Sequence, residues 1–135
     1  MAAQPETRFY TSVHRQLPKE LHFEKMHNEY RGGTPDVWYS GKYSDLWIEY
    51  KWLSTVPVKT DIYVTKMLSA LQLRWLNSRY AEGRNVAVVL GTPEGCWIYE
   101  DRNWNDPLNP EALRGAGLTK HSVADFIILE TGGPR

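Results

Sequence analysis

In "PETRFYTSVHRQLP" the apolar residues Phe9, Val13 and Leu17 recur every four positions and predict a first helix. Pro5 suits its opening turn, where a backbone N–H has no partner to lose, and Pro18 closes it. Glu6 stands three residues before Phe9 and so shares the inward face. The pattern changes to strand-like alternation in "LHFEKMHNEY", and "RGG" predicts a turn. The stretch "GGTPDVWYSGKYSDLWIEYKWL", Gly32 to Leu53, then predicts two strands joined around "SGKYS". Residues 54–65 read as a loop with short extended pieces. A second helix is expected from about Ser69 to Ala81, with Leu68, Leu71, Gln72, Trp75, Leu76 and Tyr80 as its stripe. Ser69 is its N-cap, and Gly83 sits where a helix-ending glycine belongs. "NVAVVLG" predicts a buried strand, "TPEG" a turn and "CWIYE" the partner strand. "DRNWNDPLNPEALRGAG" reads as mostly irregular, after which Ser122 caps a short last helix, "VADFIILE". Helix, three or four strands, helix, two strands and helix make an α/β layer with a mixed sheet.

Composition narrows the function classes. A chain of 135 residues predicts one domain, 1–135, and folding at this size removes roughly two thirds of the unfolded surface. Hydrophobic content of 41% and charged content of 24% are those of a soluble globular protein. Six tryptophans and eight tyrosines either fill the core or stack on bases, and composition leaves both open. The single Cys96 excludes an internal disulfide and a cysteine-rich zinc site, and is expected buried in a strand. It also suits a reducing compartment. No apolar run could span a bilayer and no apolar signal region opens the chain, so the expectation is a cytoplasmic protein with no membrane partner. For a phage-encoded protein that means the host cytoplasm. The net charge is zero, so phosphate would be bound by local patches or by a metal that offsets acidic residues.

Three charges stand out against the apolar background. Glu49 and Lys51 lie inside "LWIEYKWL", and Asp36 opens the neighbouring strand. Strand residues two apart share a face, roughly 6.6 Å apart. Glu49 and Lys51 therefore go with Trp47, and Ile48, Tyr50 and Trp52 with the other, packed face. Pairing around "SGKYS" brings Asp36 toward the Glu49–Lys51 end of its partner. Two carboxylates and a main-chain carbonyl such as that of Tyr50 suit Mg²⁺, which takes few protein ligands and keeps waters. Such an ion lowers the pKa of a bound water and offsets phosphate charge, while Lys51 orients the water or stabilises the pentavalent phosphorus. Glu6 is the best-placed further carboxylate. The plainer alternative is a solvated strand face with Asp36 as a turn residue.

The motif context favours the first reading. "GTPD" followed by "IEYK" resembles the PD-(D/E)XK nuclease superfamily, with Pro35, Asp36, Glu49, Tyr50 and Lys51 as the motif. With "LSALQLRWL" and "EGRNVAVV" added, the chain is similar to stand-alone virus-type replication-repair (VRR-NUC) nucleases. Gly33, Leu68, Ser69, Gln72 and Gly83 match that pattern, which runs roughly from Glu6 to Leu90, about two thirds of the chain. The resemblance implies a restriction-endonuclease-like core, a mixed central sheet flanked by helices. It implies phosphodiester cleavage with Mg²⁺, or Mn²⁺ in its place. Asp36 and Glu49 would be ligands, Lys51 the catalytic lysine, and Glu6 the first-helix glutamate, with Glu20 and Glu24 as fallbacks. Gln72, on the apolar face of its helix, is either a partner of the active-site strand or a capped core glutamine. The segment between Lys51 and Leu68 departs from the pattern. It holds Lys59, Asp61, Tyr63 and Lys66, and reads as a substrate-contacting insertion or a dimer arm.

The expected activity is that of a metal-dependent DNA endonuclease on double-stranded or branched DNA: a homing enzyme, a Holliday-junction resolvase, or a phage recombination or repair enzyme. Two strands to cut imply a homodimer or a dimer of dimers. Arg31, Lys42 and Lys59 are the expected phosphate contacts. "HNEY", His27 to Tyr30, suggests an HNH nuclease, but His14 and His121 do not supply the second histidine that chemistry needs. The rival from another class is a non-catalytic nucleic-acid-binding module that keeps the fold.

Overall fold

A computed structural model of the protein describes residues 4–26 and 33–135. Its centre is a five-stranded sheet whose spatial order follows the chain: β1 (His22–Lys25), β2 (Val37–Ser40), β3 (Asp45–Trp52), β4 (Val86–Thr92) and β5 (Gly95–Tyr99). β1, β2 and β3 pair antiparallel, β3 and β4 pair parallel, and β4 and β5 form a hairpin. The sheet is therefore mixed, and the parallel step is spanned by helix α2 (Ala70–Ala81). Helices α1 (Pro5–His14), α3 (Pro110–Ala116) and α4 (Lys120–Thr131) complete the α/β layers.

Alternation along the strands sorts side chains into two cores. Leu46, Ile48, Tyr50, Ala87 and Val89 join Phe9 and Val13 of α1 and Val123, Ala124 and Ile127 of α4. Val86, Val88 and Leu90 face Leu76 of α2, together with Trp104, Leu108 and Leu113. β3 carries Trp47 on this second side, which is also the side of Glu49 and Lys51. Gly91 lets α1 approach closely, because a Cβ there would lie 2.7 Å from the Phe9 ring. That contact seats the helix whose first turn holds Glu6.

Several expected elements shift. α1 ends at His14, and Leu17 reaches the core from the following turn, its N–H bonded to the His14 carbonyl at 3.1 Å. In α2, Leu71 is half exposed and Leu73 turns toward the core instead. Leu68 packs into the same core from just before that helix, and Trp75, Leu76 and Tyr80 keep the expected stripe. Thr119, not Ser122, caps α4: its hydroxyl accepts the Ser122 N–H, while Ser122 Oγ accepts the Thr119 N–H at 2.9 Å. "DRNWNDPLNPEALRGAG" contains a 3-10 turn, Asn103–Asn105, and all of α3, capped by Asn109 and opened by Pro110. Residues 54–65 pack against this C-terminal part rather than project as an arm. Ile62 and Leu108 exchange two backbone hydrogen bonds of 2.8 Å, Arg114 donates to the Pro57 carbonyl, and Val56, Ile62 and Val64 are buried. Cys96 is buried in β5.

Candidate active site

The register of the first hairpin sets the geometry. Val37 pairs with Ile48, so Asp36, one residue earlier, lies past the end of β2 and beside the middle of β3. Its Oδ2 accepts the Tyr50 N–H at 2.9 Å, taking the place of the next ladder bond. A residue's N–H and C=O face the same neighbour in such a pair, so the Tyr50 carbonyl is directed to the Asp36 edge of β3.

Glu49 and Lys51 follow on the face turned to α2. Glu49 is 1% exposed and Lys51 8%, with Lys51 Nζ 3.4 Å from Glu49 Oε2. The same oxygen accepts a hydrogen bond from Gln72 Nε2 at 3.1 Å. Gln72 is fixed at its other end, because its Oε1 accepts the Ser69 N–H and its N–H donates to Ser69 Oγ. It is therefore both the capping residue and the partner of the strand, where sequence reasoning had to choose. Gly33 sets the approach of α2 to this strand end. Its φ is +96°, and a Cβ there would lie 2.5 Å from the Leu71 carbonyl oxygen and 3.1 Å from the Gln72 nitrogen.

Oε1 of Glu49, by contrast, is buried and has no hydrogen-bond partner among the described residues. Buried oxygens of this kind are rare because each forfeits its hydration. Burial, then the charge of Asp36, push the Glu49 carboxyl up to about 8, against the pull of Lys51. Burial also raises Asp36, opposed by the Tyr50 N–H and Lys51 and reinforced by Glu6. Two acids held together out of water, one with an unpaired oxygen, lack positive charge.

A small divalent cation would supply that charge. Among the described residues no three His, Cys, Asp or Glu side chains form a ligand cluster, but Mg²⁺ is commonly held by one or two carboxylates with waters completing the shell. Asp36, Glu49 and the Tyr50 carbonyl provide such a donor set. Glu6, in the first turn of α1, is half-buried and close enough for its charge to act on both acids. Glu20 and Glu24 are exposed, and Glu24 meets His22 at 3.3 Å.

The three expected phosphate contacts fare differently. Arg31 lies outside the described residues, as does "HNEY". Lys42 does not flank the carboxylates: the register puts the Gly41–Ser44 turn at the far end of the hairpin, where Lys42 sits over the Tyr43 ring and its N–H bonds the Gly133 carbonyl. Lys59 is exposed on the loop that leaves β3.

One network went unread in the sequence. His14 Nε2 meets the Tyr39 hydroxyl at 2.8 Å, and that hydroxyl meets the Tyr50 hydroxyl at 2.6 Å. The chain lies beneath the site, on the opposite face of β2 and β3, and anchors the residue whose N–H holds Asp36. Tyr39 and Tyr50 fall on inward positions of their strands, so their hydroxyls needed partners; that was the available signal. Burial, then Lys25, lower the His14 pKa to about 4, leaving the imidazole neutral.

No family model matches the chain, and no curated protein matches it. Among solved structures, the chain is similar to Hjc, a Holliday junction resolvase from the archaeal hyperthermophile Archaeoglobus fulgidus. The TM-score is 0.55 at 17% identity, and the match covers 90% of this chain and 97% of that one. At that identity the likeness establishes the α/β fold, a mixed five-stranded sheet flanked by helices.

Proposed function

We propose that the chain, as one domain over 1–135, is a PD-(D/E)XK-type endonuclease of the VRR-NUC kind that hydrolyses phosphodiester bonds in double-stranded or branched DNA with Mg²⁺ or Mn²⁺. The observation that carries this reading is Glu49: a carboxylate withdrawn from water, with one oxygen held by Lys51 and Gln72 and the other without a partner among the described residues. Keeping a carboxylate oxygen buried without a partner costs about 1–3 kcal/mol or more. A purely structural strand would have no use for it.

Asp36, Glu49 and the Tyr50 carbonyl would hold the ion, which when bound supplies a more acidic water and neutralises phosphate charge. The chain's own groups do the remaining work. Gln72 and Lys51 fix Glu49 through Oε2, which leaves Oε1 as the oxygen for an ion. The Lys51 ammonium, almost fully buried, stabilises negative charge on the phosphate or orients the attacking water. Glu6 adds a half-buried carboxylate from α1. The fold shared with a Holliday junction resolvase supports branched DNA as substrate, and two strands to cut suit a symmetric dimer. No described helix is long and apolar enough to cross a membrane. Incubation with a four-way junction and a matched linear duplex in Mg²⁺ tests the substrate class. Faster cleavage of the junction supports the resolvase form, cleavage of one long duplex sequence alone supports the homing form, and no cleavage of either DNA in Mg²⁺ or Mn²⁺ overturns the proposal.

A further inference from the structure

A groove of about 590 Å³ opens on the sheet face that carries Glu49 and Lys51, at the amino ends of β3 and β4. Thr34, Asp45, Trp47, Trp75, Arg79 and Arg84 line it. Two of its lining residues lie next to candidate active-site residues along the chain. Thr34 is two residues before Asp36, and Trp47 is two residues before Glu49 on the same face, about 7 Å away.

The aromatic groups here pack against the edge of the second core without being enclosed by it. Trp104 is fully buried, whereas Trp47 and Trp75 stay half-buried with their ring centres 5.3 Å apart. Trp38, opposite Trp47 across the β2–β3 pair, extends the row at 6.1 Å. Arg79 lies over one face of the Trp75 ring at 5.5 Å, a cation–π contact that places a guanidinium beside the indole. Arg79 is tied to Glu82, but Arg84 is exposed and makes no ion pair with any described residue. Half-exposed indole rings beside arginines are the chemistry that holds unpaired nucleotides: bases stack on the rings and phosphates meet the guanidinium groups. A stacked duplex hides its base faces and cannot use the rings in this way.

Resting on the nuclease reading, we infer that this groove is a nucleobase-stacking subsite for an unpaired nucleotide adjoining the cleaved bond. The base stacks on Trp75 and Trp47, and Arg84 meets a phosphate of the same strand. The substrate is then DNA with an unpaired stretch beside the scissile phosphate, rather than a continuous duplex.

The test is fluorescence anisotropy of the full chain with labelled oligothymidylate and with a blunt duplex of equal length, in EDTA so that nothing is cut. Wild type should bind oligothymidylate more tightly than the duplex. Trp75→Ala should weaken that binding by about tenfold or more, and Trp75→Phe should restore most of it. Arg84→Gln should lower the slope of log affinity against log salt by about 0.7. Wild type that prefers the duplex or binds neither DNA, or Trp75→Ala that binds like wild type, overturns the inference. Should Trp75→Ala fail to fold by circular dichroism, the exposed Arg84→Gln decides alone, and an unchanged salt slope overturns it. Junction cleavage in Mg²⁺ by the wild type separates the two claims. Cleavage without oligothymidylate binding removes the groove and leaves the nuclease; binding without cleavage removes the nuclease and leaves a single-strand site.

Discussion

Gln72 donates to Glu49 Oε2 at 3.1 Å while accepting the Ser69 N–H at 2.9 Å, so one side chain joins the start of α2 to the middle of β3. The helix cap and the orientation of the buried carboxylate are thereby a single device. Gln72→Leu should break both functions. Loss of a group that orients a metal-binding carboxylate lowers activity by about 10–100-fold. Ser69→Ala removes the cap but leaves Gln72 beside Glu49; it should cost about 1 kcal/mol of stability with a smaller change in cleavage rate. Thermal melts and single-turnover cleavage of the two variants check the split. Equal rate losses would refute it.

Gly33 is where the chain passes under that same helix. With φ at +96° and the Leu71 carbonyl 2.5 Å from any added Cβ, Gly33→Ala must strain the turn or push α2 away. The expected result is a loss of more than about 1 kcal/mol, together with slower cleavage as Gln72 moves from Glu49. Chemical denaturation measures the first and a cleavage time course the second.

The unpaired Glu49 oxygen makes a prediction that needs no DNA. Divalent cation binding to the native state alone should raise the melting temperature, by the equivalent of about 2.7 kcal/mol at a hundredfold excess over the dissociation constant. Glu49→Gln should abolish most of that rise. In EDTA the same variant should be at least as stable as wild type, because a neutral amide replaces a buried acid. Scanning fluorimetry with Mg²⁺ and Mn²⁺ would count against the site if wild type and variant shifted alike.

His14 gives the fold an acid-sensitive link to the site. Its pKa, lowered to about 4 first by burial and then by Lys25, is 6.5 in the unfolded chain. Between those values the unfolded chain binds the extra proton, so stability rises with pH across the window and is lost as pH falls from 6.5 toward 4. His14→Gln can keep a hydrogen bond to Tyr39 without titrating, so its stability should fall less steeply over the same range. Superimposable stability profiles for wild type and variant would remove His14 from the account.

The site was legible where a local rule overdetermined it. Alternation along β3 put Glu49 and Lys51 on one face with Trp47, and the "SGKYS" turn brought Asp36 alongside. Ser69 announced the start of α2 by its capping chemistry. What escaped depended on contacts distant in sequence or on competing local signals. Lys42 was set beside the site although the hairpin that carries Asp36 inward must carry its own turn outward. α3 was hidden because Asn109–Pro110 reads as a loop, when the same pair is a cap followed by a first-turn proline. Leu71 and Leu73 compete for the apolar side of the helix, and only packing against the second core selects Leu73. The link from His14 to Tyr50 joins α1 to β3 and has no sequence motif at all.

The central claim is that Asp36, Glu49 and Lys51 act together on a phosphodiester bond. It is tested most directly by following cleavage of a labelled four-way junction in Mg²⁺ by wild type, Asp36→Asn, Glu49→Gln and Lys51→Ala, each shown to be folded. Wild type should cut only when a divalent cation is present. Each variant should be slower by about 100-fold or more, the scale on which removing one transition-state-stabilising group acts. Cleavage by the three variants at the wild-type rate would contradict the account.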